Sequence, residues 1–146
     1  MSVSAIEGLI VTPAALLRGR VQIERGRIVA IEGQAAPDEA WRDSDEPLLL
    51  PGFIDLHVHG GGGADTMQAD AAAIRTIART HARHGTTALL ATTMTAPQAE
   101  IEAALRALAP ACRTRESGAA RVLGVHLEGP YISPDKLGAQ PAFAAL

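Results

Sequence analysis

The chain has 146 residues, 47% of them hydrophobic and only 3% aromatic, which allows one domain with a core built from Ala, Val, Ile and Leu. Its net charge of −3 is carried without any basic block that could follow a phosphate backbone, so nucleic acid is excluded as an expected partner. A single cysteine excludes an internal disulfide framework. With no signal-peptide pattern at the N-terminus and no run near the ~20 apolar residues of a membrane span, the expectation is a cytoplasmic protein with no membrane partner.

Residues 1–47 read as a small β-rich, sandwich-like domain. Val21 and Ile23, then Ile28 and Ala30, flank Glu24-Arg25-Gly26-Arg27, a turn signal between alternating runs that predicts a hairpin. Residues 33–47 are polar and loop-like, with Trp41 expected to cap a core edge.

The rhythm changes at Leu48. LLLPGFIDLHVH predicts a strand, and Gly60 to Gly63 a loop. Over residues 70–84 the spacing predicts a helix with Ile74, Ile77, Ala78 and His81 on one face and Gly85 as its C-terminal cap. TTALLATT (86–93) is a second strand, uncharged as a strand buried on both faces should be. Thr95-Ala96-Pro97-Gln98 has the form of a capping box for a helix whose inner stripe is Ile101, Leu105 and Leu108. Cys112 near that helix's end reads as a small packed side chain, since nothing beside it would activate a thiolate. RVLGVHLE (121–128) is a third strand. Residues 48–146 thus read as parallel βαβ units of an α/β fold, either an open doubly wound sheet or the opening of an eight-stranded barrel.

The chemistry concentrates at two strand ends. Residues two apart in a strand share a face, roughly 6.6 Å apart. Asp55, His57 and His59 therefore point one way, and the aliphatic Ile54, Leu56 and Val58 point the other, towards helices. Two imidazoles at the C-terminal end of a parallel strand can hold one divalent ion, with Asp55 orienting a ligand histidine as a hydrogen-bond acceptor. Val122, Gly124, His126 and Glu128 share a face by the same alternation, so Glu128 ends the third strand as a carboxylate, and imidazoles with a hard oxygen ligand suit Zn²⁺ or Fe²⁺. His126, deeper on the face, is assigned to packing, and His81 and His84 to the helix end. The glycine loop is expected to let the backbone come close to a bound molecule without side-chain obstruction. No G-x-S-x-G, P-loop, CxxC or dinucleotide fingerprint is present.

"LLPGFIDLHVHGGGGADTM", "TTALLATTMT" and "GVHLEGPYISPDKLGAQP", in this order over residues 48–141, resemble the N-acetylglucosamine-6-phosphate deacetylases of the amidohydrolase superfamily. PGFID-x-H-x-H is shared widely in that superfamily, whereas HLEGP with K-x-GA-x-P is more specific to the sugar deacetylases. The resemblance implies that residues 48–146 begin a (β/α)₈ TIM-type barrel of which about three strands are present, an incomplete fragment of such an enzyme. It implies Glu128 as principal metal ligand and sugar contacts at Ala139 and Gln140. With His57 and His59 both present, it leaves room for a second metal position. Asp65 matches a family position.

The implied reaction is metal-dependent hydrolysis of the acetamide of N-acetylglucosamine 6-phosphate. The catalytic aspartate and two further histidine ligands would come from later strands, so no catalytic acid–base residue is expected within this chain, which alone would be inactive. A homodimer is implied for a full-length enzyme. Two alternatives stand beside this reading. One is an amidohydrolase acting on a cyclic amide. The other is a truncated, non-catalytic product that at most binds metal weakly or pairs with another chain.

Overall fold

A computed structural model describes residues 4–146 and divides into two compact units, one ending at Pro51 and the other running Gly52–Leu146. The first unit is a single four-stranded sheet: β1 (Ser4–Val11), β2 (Leu16–Glu24), β3 (Arg27–Ala35) and β4 (Leu48–Leu49), in the order β3-β2-β1-β4. It is therefore one sheet and not a sandwich among the described residues. The predicted hairpin joins β2 to β3. Arg25 and Gly26, with φ of 52° and 73°, supply the two left-handed residues that a tight turn matched to strand twist requires.

Three further expectations for this unit change. Gly33, Gln34 and Ala35 continue β3 against β2, so the loop begins at Ala36 and not at residue 33. Trp41 stays half exposed, with the Arg42 guanidinium 5.4 Å from its ring centroid, and caps no core edge. Leu48 and Leu49 pair in parallel with the buried Leu9 and Ile10, which moves the boundary from 47/48 to 51/52. Pro51, which has no N–H to give, and Gly52 separate them from the strand that follows.

The second unit runs β5 (Phe53–Val58), β6 (Gly60–Gly61), β7 (Ala64–Asp65), α1 (Ala71–Ala82), β8 (Thr86–Thr92), α2 (Gln98–Ala111) and β9 (Arg121–His126). β5, β8 and β9 form a parallel sheet in that order, and β6 and β7 a short antiparallel ribbon. The strand–helix alternation is as the sequence predicts. β8, the uncharged strand, is the central one. Its Leu89 and Ala91 meet Val58, Ile74, Ile77 and Leu108 in the core.

Asp70 starts α1 by accepting from the Ala73 N–H at 2.8 Å. α2 starts differently from expectation. Pro97 is its N-cap, with no side-chain capping bond, because the Thr95 hydroxyl is buried elsewhere. Its buried stripe is Ile101, Ala104 and Leu108, with Leu105 only partly buried, because the i, i+3, i+7 row carries the face inward. Cys112 caps the C-terminal end of α2 and is partly buried, which pushes its thiol above the ordinary range.

Strict alternation fails in both outer strands. Asp55 and Val58 pair with Leu89 and Ala91, and so do Val122 and Val125, so each outer strand advances three residues where β8 advances two. These register shifts turn Val122, expected on the face of Gly124 and His126, into the helix-packed core. They also undo the expected aliphatic face of β5. Val58 is buried, but Ile54 and Leu56 are 61% and 60% exposed, since α1 packs on β8 and the β6–β7 ribbon and not along β5.

Candidate metal centre

Because β5, β8 and β9 are parallel, their C-terminal ends lie on one edge of the sheet. His57 is the penultimate residue of β5, His59 follows it, and Glu128 lies two residues past β9. The three side chains meet. His57 Nε2 lies 3.0 Å from His59 Nε2, and Glu128 Oε2 lies 3.2 Å from the first and 3.1 Å from the second.

This triangle is made of lone-pair donors. Imidazole nitrogens and a carboxylate oxygen crowd to about 3 Å, and Glu128 Oε2 is buried without any hydrogen-bond donor of its own. Ligand bonds of ~2.0–2.1 Å in a tetrahedral site set neighbouring donors about 3.3 Å apart. The observed edges are close to that value, and the donor set suits Zn²⁺ or Fe²⁺, so the residues fit a divalent cation.

Threonines at the end of β8 hold the two halves of the site. Thr92 Oγ1 accepts from the Val58 N–H at 2.9 Å, fixing the backbone between the two histidines. Thr93 Oγ1 accepts from the Glu128 N–H at 3.2 Å, and the Thr93 N–H donates to the His126 carbonyl at 3.1 Å. Both threonines are fully buried. In the sequence both belong to the uncharged second strand, where β-branched residues are ordinary strand formers. The available signal was two hydroxyls at the C-terminal end of a central strand that had no need of polarity.

The remaining predicted residues divide. Asp55 does not touch a histidine ring; its Oδ1 accepts from the His57 backbone N–H at 3.1 Å, because the register shift turns it along its own chain. His126 packs, as expected. Its Nδ1 donates to the Leu56 carbonyl at 3.1 Å, and its ring meets that of His57 edge-on with centroids 4.7 Å apart. Ala139 is exposed, and Gln140 is buried with its amide turned onto Glu128 and Thr95. Asp65 caps the short turn Thr66–Gln68, accepting from the Met67 N–H at 2.7 Å.

The glycine run does not clear a ligand space over its first members. A Cβ on Gly61 would lie 3.0 Å from His81 Nε2, and one on Gly62 only 2.3 Å from Thr80 Oγ1. These glycines let the β6–β7 ribbon lie against α1, where His81 Nε2 donates to the Gly60 carbonyl at 3.0 Å. His81 thus ties helix to ribbon beyond any effect of the helix dipole.

A family model described as "Amidohydrolase family" matches residues 48–142. The N-acetylglucosamine-6-phosphate deacetylase of Bacillus subtilis (strain 168) is 38% identical over 128 residues, covering 84% of this chain and 32% of that protein. The N-acetylgalactosamine-6-phosphate deacetylase of Escherichia coli O157:H7 is 41% identical, covering 84% of this chain and 31% of that protein. Among solved structures, the N-acetylglucosamine-6-phosphate deacetylase of Mycobacterium smegmatis, in complex with N-acetyl-D-glucosamine-6-phosphate, matches with a TM-score of 0.78 and 29% identity. It covers all of this chain, which spans 38% of that one. The chain thus spans about a third of the length of the curated relatives it matches.

Proposed function

This chain belongs to the amidohydrolase family, and we propose that it carries the metal-binding part of a deacetylase that hydrolyses the acetamide of N-acetylglucosamine 6-phosphate. The observation that carries this reading is the convergence of His57 and His59, from the stretch shared across the superfamily, with Glu128, from the HLEGP stretch through which the chain resembles the sugar deacetylases. Its βαβαβ run is read as the first three strands of a (β/α)₈ barrel, with the triangle at the C-terminal mouth where that fold keeps its active sites. The sheet around Leu9 and Ile10 is read as the small accessory domain.

The chemistry a divalent cation supplies when bound is Lewis acidity, which makes water deprotonate near neutral pH and polarises an amide carbonyl. The residues of this chain do the holding. His57, His59 and Glu128 present three donors from two separate strand ends, and Thr92 and Thr93 fix the backbones that carry them. Zn²⁺ and Fe²⁺ both suit this set. Ala139, exposed beside the site segment, is the proposed contact for the sugar. Proton transfer to the leaving amine is assigned to an aspartate outside residues 1–146.

Because the chain spans about a third of its relatives, the activity is proposed for a polypeptide of the relatives' length that carries this segment. The test is acetate release from N-acetylglucosamine 6-phosphate by that metal-loaded protein, with Glu128→Gln as the control. Release that the substitution abolishes supports the reading. A protein that binds metal but ignores the substrate keeps the family and loses the sugar assignment. The relative from Escherichia coli supports a second reading, the galactosamine epimer, and the ratio of kcat/KM for the two sugars decides between them.

A further inference from the structure

We propose that Gln140 is a positioning residue for the metal ligand Glu128, acting through that carboxylate and not through direct contact of its amide with substrate; this rests on the metal-site reading above. Gln140 is 9% exposed. Its Oε1 accepts from the Thr95 backbone N–H at 2.7 Å. Its Nε2 donates to Glu128 Oε1 at 2.5 Å and reaches Met94 Sδ at 3.6 Å. An amide nitrogen has two hydrogens, and both are directed at protein atoms, so the group has no donor left for a ligand.

The consequence for Glu128 is a division of labour between its two oxygens. Oε1 is held by Gln140, while Oε2 faces the two histidines with no hydrogen bond of its own. The carboxylate is thereby fixed to present one oxygen to the cation. Gln140 is itself anchored to the main chain at Thr95, so the carboxylate is locked from the side chain as well as from its backbone N–H on Thr93. Partners of this kind orient metal ligands, and losing one weakens binding by about 10- to 100-fold.

The test is titration of the full 146-residue chain with Zn²⁺ alone, in competition with a chromophoric chelator. Gln140→Ala removes both contacts. Gln140→Glu keeps the shape and the acceptor for Thr95 but replaces the donor to Glu128 with a second carboxylate oxygen. Both variants should bind Zn²⁺ about 10- to 100-fold more weakly than the parent, measured under conditions where circular dichroism shows the metal-free proteins folded. In a Glu128→Gln background, Gln140→Ala should have no further effect on Zn²⁺ affinity, whereas a merely structural role would give the same loss in either background. Parent-like Zn²⁺ affinity in Gln140→Glu overturns the inference and leaves the metal site standing. A parent whose Zn²⁺ binding is indifferent to Glu128→Gln overturns the site reading, and this inference with it.

Discussion

Thr93 and Glu128 are joined across two strand ends: the Glu128 N–H donates to Thr93 Oγ1 at 3.2 Å, in a place where Thr93 is fully buried. The bond extends the β8–β9 pairing beyond the last residue of β9 and sets where the Glu128 side chain begins. Replacing Thr93 by Val keeps the shape and removes the acceptor. Leaving a partly buried N–H unpaired costs about 1–3 kcal/mol. Thr93→Val should therefore lower stability by that amount in urea unfolding, and Thr93→Ser should restore most of it.

Gly129 shows how closely the segment after Glu128 is seated. With φ of 71°, it has backbone geometry that suits glycine, and a Cβ there would lie 1.9 Å from Thr95 Oγ1. Gly129→Ala should lose roughly 1–3 kcal/mol to overpacking and a comparable amount to strain. Urea unfolding measures the loss, and Zn²⁺ affinity should fall with it because Glu128 is the preceding residue.

Asp70 offers a perturbation of α1 away from the site. Its carboxylate caps the helix through the Ala73 N–H at 2.8 Å, so Asp70→Ala should destabilise the chain by about 0.5–2 kcal/mol. Zn²⁺ affinity measured under conditions where the variant remains folded should match that of the parent, since Asp70 touches none of the three ligands.

Much of this was legible in the residues, and the misses have physical reasons. Periodicity placed α1, β8 and the β2–β3 hairpin because apolar residues and left-handed turn positions are local signals. His57, His59 and Glu128 were legible because two strand ends carried side chains that a buried sheet has no packing use for. What alternation could not supply was the register. The bulges opposite Leu89–Ala91 turned Val122 inward to the helices and aimed Asp55 at its own backbone, and such shifts depend on the neighbouring strand. Gln140 was found by resemblance, but its partner is 12 residues back in the chain and no local pattern joins them. The glycine loop misled because a helix packed against it, at Thr80 and His81, was not visible in its own composition.

Cys112 gives a prediction in pH. Burial raises its pKa, so less thiolate is present at neutral pH than for a free thiol. Iodoacetamide should modify it more slowly than it modifies glutathione at pH 7.5. The rate should keep rising with pH beyond the point where an ordinary thiol has levelled off. A rate at neutral pH equal to or faster than that of glutathione would refute the assignment of Cys112 as a packed, unactivated side chain.

The most direct test of the account is a Zn²⁺ competition titration of the chain beside His57→Ala, His59→Ala and Glu128→Gln. Three converging ligands predict one tight site in the parent and, in each variant, a loss greater than the roughly 10- to 100-fold expected for an outer partner. Equal affinity in all four proteins would show that the triangle of His57, His59 and Glu128 does not hold the ion.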